Sequence, residues 1–442
     1  MPRHLKKLDS EIMKFHNIRK ASLPEECEPQ RRNQKVYLAF AAYGAASFAI
    51  CGESLLVLIA IHFGFGDTFC SVLGAFLYLS YLVLPAGYYL AAGIGVARSI
   101  AFQTMITVLG SCLMLLAVLV FPQAGRTAGI LLTAGTVLFF FAKSSGSAML
   151  LPLQANISDD RNRPRMLGKI AACSNIAALL TTLAIALILH LFESSWSYPL
   201  LLGGGSLLGM LSALSILKIR EPPVLRKIAG YPVLQQILLG WREPIIRKQL
   251  ALGCYLNLSL IMLIPVEMLM VKQGMGLTDA QVTTLWAVKV TASIAGAPVW
   301  SFLTQRFGSS KVCAGAILLI PLLCLFWGLT PLPLLENLVF LPFLTSGVMI
   351  VFYSNSLLDF FMKSVKPYKQ QGGALLVMVI TGGVAGLLGI GLNALLFEIL
   401  EKFLAIQENT LEFYRSYFLI AAALFLTQLC NPGLSRTLRE FQ

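Results

Sequence analysis

The sequence predicts an all-α polytopic membrane protein whose twelve transmembrane helices form two six-helix bundles. Three observations carry this prediction. The 442 residues are 57% hydrophobic and only 12% charged, too little charge to cover a water-facing surface. Apolar stretches of the length that one bilayer crossing needs, about 20 residues, follow one another along the chain with short loops between them. One long polar interval, Lys218 to Arg247, parts them six and six.

Residues 1–34 are polar and mix Lys7, Lys14 and Arg19 with Asp9, Glu11, Glu25, Glu26 and Glu28. That mixture fits neither a signal peptide nor an acid-poor transit peptide, so a cytoplasmic tail is expected. The first bundle, residues 35–217, places spans near 36–62, 69–91, 97–121, 128–154, 167–192 and 197–217. Residues 218–247 read as a cytoplasmic linker rich in charge and proline, with Glu221, Pro222, Pro223, Arg226, Lys227 and Arg242. The second bundle, residues 248–430, places spans near 248–271, 280–303, 312–330, 337–361, 373–397 and 413–430, and residues 431–442 form a second cytoplasmic tail.

The net charge of +13 raises nucleic acid as a partner, but the cations sit in short loops rather than on one soluble face. Membrane topology accounts for them. On the side of the two termini lie 28 Lys and Arg residues, against Arg126, Lys272, Lys402 and Arg415 on the other. This bias predicts a multi-pass protein of the cell membrane with both termini in the cytoplasm. The nine cysteines are scattered through apolar runs without a CxxC pair or His at metal spacing, so they read as packing residues and no cofactor is expected. A faint repeat links Arg163-Pro164-Arg165-Met166-Leu167-Gly168 before span five to Lys366-Pro367-Tyr368-Lys369-Gln370-Gln371-Gly372 before span eleven.

Charges within spans are costly, about 2.5–3.5 kcal/mol each at mid-membrane on insertion scales, and therefore point to function. Five qualify: Glu53, Lys143, Glu267, Lys289 and Asp359. Counted from the nearer span end, Glu267 and Asp359 fall close to the outer and inner surfaces and read as rim charges, whereas Glu53, Lys143 and Lys289 lie deeper. Burial suits Glu53 to load and release a coupling proton; a structural partnership with a lysine is the alternative. Two fixed ammonium groups, Lys143 and Lys289, favour an acidic solute, or else serve to neutralise Glu53. Asn257, Asn355 with Ser354 and Ser356, Asn393, Gln154 and Asn156 offer hydrogen bonds either to a polar solute or between helices. Tyr43, Tyr353 and Trp286 offer rings for stacking or for packing. Gly382, Gly383, Gly386, Gly389 and Gly391 in span eleven give a smooth face, suited to close packing and to a sliding interface between bundles.

The stretch Gly296 to Lys311 carries a resemblance. Pro298, Trp300, Ser301, Leu303, Arg306, Phe307, Gly308 and Lys311 follow in the order that is similar to the loop between spans eight and nine of the major facilitator superfamily, with Gln305 where that family usually has Asp. Its counterpart in the first half, Leu90 to Arg98, keeps only a loop glycine and one cation. The resemblance implies the major facilitator fold, alternating access of two bundles around a midplane site, and a cavity lined by spans one, four, seven and ten, which Glu53 and Lys143 would face. Lys143 followed by Gly146 departs from the family's span-four Arg and Gly spacing. Span five, residues 170–192, contains no glycine or proline, unlike the drug-proton antiporters.

These readings lead to a secondary active transporter, not an enzyme, moving a small polar solute, with acidic solutes favoured, in symport with protons and as a monomer. The site is assigned to Lys143, Asn257, Lys289, Asn355, Tyr43 and Tyr353, the coupling group to Glu53, and the inner gate to Gln305, Arg306, Gly308, Lys311 and Asp359. An efflux antiporter of the same fold is one alternative. A membrane-embedded transferase acting on lipid or lipid-linked sugar is another, but His4, His16, His62 and His190 have no acidic partner nearby in a span. A non-transporting sensor would call for a large soluble domain.

Overall fold

The computed structural model describes residues 28–121, 125–157, 163–192, 196–221, 241–242, 244–364, 377, 379–402 and 410–429. Span one is Glu28–Cys51 continued by Glu53–His62, and span two is Asp67–Leu79 continued by Leu84–Ile94. Val96–Val120 is span three, Gly125–Ser147 with the short helix Leu150–Ile157 is span four, Arg163–Leu191 is span five and Ser197–Ile216 is span six. In the second half, Pro244–Leu269 with the π turn Met270–Gly274 makes span seven, Asp279–Phe307 span eight and Ser309–Leu329 span nine. After the short helix Leu332–Leu338, span ten is Phe340–Ser364, span eleven is the π turn Val379–Val384 with Ala385–Lys402, and span twelve is Leu411–Leu429. Eleven of these, spans one to eleven, are long and apolar enough among the described residues to cross a bilayer; span twelve packs along span nine and completes the second six.

The spans are less continuous than the apolar runs suggest. Span one breaks at Gly52, whose backbone turns extended (ψ −171°) between two helical pieces. Span two passes through a 3₁₀ turn, Ser80–Val83, because Pro85 supplies no N–H and its ring would clash with the carbonyl of Tyr81 in a continuous α-helix. Span three presents Phe102, Met105, Leu109, Leu116 and Leu119 outward, and span nine presents Leu318, Leu322 and Leu329. Such stripes at helical spacing are stable against lipid tails and not against water.

The bundles meet through spans two and eleven, two and seven, and five and eight. Among the described residues their tight glycine contacts lie at mid-span; the side opposite the linker is the distal side. A methyl group added at Gly382 would collide with the Tyr81 ring, one at Gly383 with the Leu82 side chain, and one at Gly386 would lie 3.1 Å from the backbone nitrogen of Leu79. The missing side chains at Gly382 and Gly383 allow that approach and Gly386 eases it, so these three glycines seat span two against span eleven. Gly389 instead faces Ile261 of its own bundle. Tyr81 is halfway along span two; beyond it, toward the linker side, Tyr89 is 65% exposed. Of the hydrogen bonds between described residues, three join side chains across the boundary, and all lie in the distal half: Asn393 Nδ2 to Ser71 Oγ at 2.9 Å, Tyr414 Oη to Asp67 Oδ2 at 2.7 Å, and Tyr198 Oη to Asp279 Oδ2.

Candidate functional site

Span seven and span ten each carry a polar residue about 20 Å from one end, near mid-membrane. There Tyr353 Oη donates to Asn257 Oδ1 at 3.2 Å. Tyr353 is 6% exposed and Asn257 half-buried, and the amide NH₂ of Asn257 is left without a partner among the described residues. It is a donor ready for a solute acceptor. One turn below, Gly253 packs on Thr381, next to Gly382 and its contact with Tyr81 of the other bundle, which places the Asn257–Tyr353 pair close to the bundle boundary. Asn355 is half-buried, Ser354 is exposed, and Ser356 accepts from Trp300 Nε1 at 3.0 Å, tying span ten to span eight. Tyr43 is exposed and shares no described contact with this pair.

Lys143 belongs to a different space. It borders a cavity of about 110 Å³ between spans one, three, four and six, inside the first bundle, with Ser47, Thr104, Thr107, Ser147 and Ser212 around it. Each of these hydroxyls donates to a backbone carbonyl, so lone pairs remain to accept from an ammonium group. The Lys143 ammonium also lies 4.8 Å from the centre of the Phe48 ring, within cation–π range, and has no carboxylate partner among the described residues. The side chain of Glu53 lies outside the described residues; its backbone opens the outer piece of span one, directly after the Gly52 break.

Lys289 and Glu267 form a closed unit. Lys289 Nζ is 3.5 Å from Glu267 Oε2, Trp327 Nε1 donates to Glu267 Oε1 at 3.3 Å, and the ammonium lies 4.7 Å from the centre of the Trp286 ring. Glu267 is 0% and Lys289 3% exposed. The expectation that Glu267 is a rim charge is therefore corrected: counting residues from a helix end gives depth but not cover, and spans eight and nine close over this carboxylate. Asn393, one of the candidate solute contacts, is saturated instead by Ser71, the Ile261 carbonyl and Tyr417, and Gln154 donates to Tyr37. The side chain of Asn156 and residues 366–372 lie outside the described residues.

On the linker side, Gly308 takes φ +85°, ψ 151°, and Gly95 in the first half takes φ +98°, ψ 159°; each is the residue that precedes a helix. Both conformations are glycine territory. A carboxylate serves each following helix start. Glu221 Oε2 accepts from the backbone N–H of Ala97 at 2.7 Å, and Asp359 accepts from the hydroxyl of Ser309. The helix N-terminus favours the negative charge in both places. By sequence Glu221 falls in the polar linker; in three dimensions it serves the span two to three loop. Gln305, Arg306 and Lys311 are exposed, with Arg306 set over the Phe307 ring at 5.5 Å.

Two halves with matching glycine-carboxylate corners agree with the resemblance carried by Gly296 to Lys311. The family model described as Major Facilitator Superfamily matches residues 36–390. The chain belongs to this superfamily. Solved structures of the same fold include a mutant form of the nucleoside transporter NupG, at 14% identity and TM-score 0.67 over 89% of this chain and 99% of that one. An auto-inhibited POT family peptide transporter matches at 13% identity and TM-score 0.63 over 90% and 97%. A bacterial homologue of the human lysosomal transporter Spinster, inward-facing and unoccupied, matches at 14% identity and TM-score 0.60 over 95% and 99%. At such identities the likeness shows the fold. No curated protein matches the sequence. As a member of the major facilitator superfamily the chain is a multi-pass membrane protein of solute transport, not an enzyme.

Proposed function

We propose that this protein moves a small polar solute, with acidic solutes favoured, by alternating access in symport with protons. In this reading it acts as a monomer in the cell membrane with both termini in the cytoplasm. The observation that carries the reading is one-sided closure. The cross-bundle side-chain hydrogen bonds between described residues lie in the distal half and the tight glycine contacts at mid-span, while Tyr89 in the linker half of span two is exposed. Taken with the cytoplasmic linker side that the cation bias predicts, this supports the reading of an inward-facing arrangement. The solute contacts proposed are the Asn257 amide, Tyr353, Asn355 and Tyr43, with Lys143 supplying positive potential from its cavity in the first bundle and Glu53 carrying the proton.

Reconstitution tests this directly. Proteoliposomes bearing an imposed pH gradient should accumulate at least one solute from a labelled panel in which nucleosides, peptides and organic acids are compared. Accumulation that collapses with the gradient supports symport. Accumulation of no solute by correctly folded protein would sink the reading, and gradient-driven expulsion would reverse its direction.

A further inference from the structure

Two of the cross-bundle bonds are the same bond made twice. Asp67 is the first residue of span two and Asp279 the first of span eight; Tyr198 and Tyr414 lie in the first turns of spans six and twelve. Spans two and eight, and six and twelve, hold equivalent places in the two halves. Tyr198 of the first bundle donates to Asp279 of the second, and Tyr414 of the second donates to Asp67 of the first. Each half therefore offers one phenol and one carboxylate, and they exchange. Three of the four residues are almost fully covered, Tyr198 at 3%, Tyr414 at 0% and Asp67 at 1% exposure, so losing a partner would leave a polar group stranded in a dry contact.

The two bonds are also physically joined. Consecutive residues in the π turn that ends span seven reach them both: Lys272 Nζ lies 2.5 Å from Asp279 Oδ1, and the Gln273 amide meets the Tyr414 hydroxyl. His62 packs its ring 5.1 Å from that of Tyr198, and a groove of about 1040 Å³ with His190 and Glu336 on its walls opens beside this lock. Charge-assisted hydrogen bonds of this kind have roughly twice the strength of neutral ones. Sharing a single turn of helix makes independent release of the two costly.

We propose that Tyr198, Asp279, Tyr414 and Asp67 act as one reciprocal distal gate, coupled through Lys272 and Gln273, which must release as a unit for the distal side to open. The proposal rests on the alternating-access reading above. Hydrogen–deuterium exchange of the full-length protein in lipid nanodiscs tests it, following the helix starts at 67–79 and 279–290 on the distal side and 309–312 on the linker side. Either Tyr198→Phe or Tyr414→Phe should raise exchange in both distal segments by roughly tenfold, and the double substitution should add little to either single one. A rise confined to the substituted pair's own segment, an additive double, or no rise at all would overturn the gate. Asp279→Asn offers a second route to the same readout should Tyr198→Phe fail to fold. A distal rise with no matching fall in exchange at 309–312 would leave the gate standing and count against alternating access instead.

Discussion

Glu267 gives one carboxylate oxygen to Lys289 at 3.5 Å and the other to the indole N–H of Trp327 at 3.3 Å, binding spans seven, eight and nine together inside the second bundle. Buried pairs of this kind are balanced against a large desolvation cost, so removing one partner is worse than removing both. Lys289→Met alone should destabilise the purified protein by about 3–5 kcal/mol. Glu267→Gln with Lys289→Met should recover much of that loss. Chemical unfolding in a fixed detergent compares the three, and simple additivity would mean that the two charges do not sense each other.

Lys143 is the intramembrane cation with hydroxyls rather than a carboxylate around it among the described residues. No carboxylate among the described residues offsets its charge, whereas the field of Lys289 is largely cancelled by Glu267. Lys143→Gln should weaken binding of acidic solutes about tenfold, near 1.4 kcal/mol, and neutral solutes little. Lys289→Gln should not discriminate between the two classes. Equal losses for acidic and neutral solutes with Lys143→Gln, measured by thermal shift or calorimetry, would make that lysine structural.

Glu53 begins the outer piece of span one, beyond the break at Gly52. With Glu53→Gln, accumulation against a gradient should vanish while solute exchange across the membrane at equal pH persists, since exchange needs no net proton movement. Counterflow and gradient-driven uptake in the same vesicles separate the two. Full accumulation by the variant would assign coupling elsewhere.

The two glycine corners differ in what surrounds them. Arg306 and Lys311 flank Gly308, while Arg98 alone follows Gly95. Replacing Arg306 by Gln should shift the balance between the two access states more than replacing Arg98 by Gln. Site-directed crosslinking on the linker side reads that balance, and equal shifts would reduce the span eight to nine loop to a mark of the fold.

Much of the architecture is legible in the sequence because lipid leaves few choices: apolar runs of crossing length must be helices, and cations in loops set their direction. Gly308 and its neighbours are legible for the same reason, since a tight corner between two helices needs a residue that accepts positive φ. What the sequence does not display shares one property. Glu267, Glu221, Asp67 and Asp279 each have a partner 60 or more residues away, such as Trp327 for Glu267 and Ala97 for Glu221, and a carboxylate near a helix end looks the same in sequence whether it meets water or a partner. The glycines of span eleven are visible as a smooth face, but that Gly382, Gly383 and Gly386 receive Tyr81, Leu82 and Leu79 of the other bundle is a fact of three dimensions.

The 3₁₀ turn at Ser80–Val83 lies within the close contact with span eleven, since Tyr81 and Leu82 are the residues set against Gly382 and Gly383. Its hydrogen bonds are poorer than those of the α-helix on either side, and Pro85 denies the chain a better alternative. Span two is thus built like a beam with its softest section at the fulcrum. The distal arm can lift away from span eleven by bending there, while Gly87 keeps the other arm pressed against the backbone of Ser145. Opening then costs the contacts of half a helix rather than a whole one.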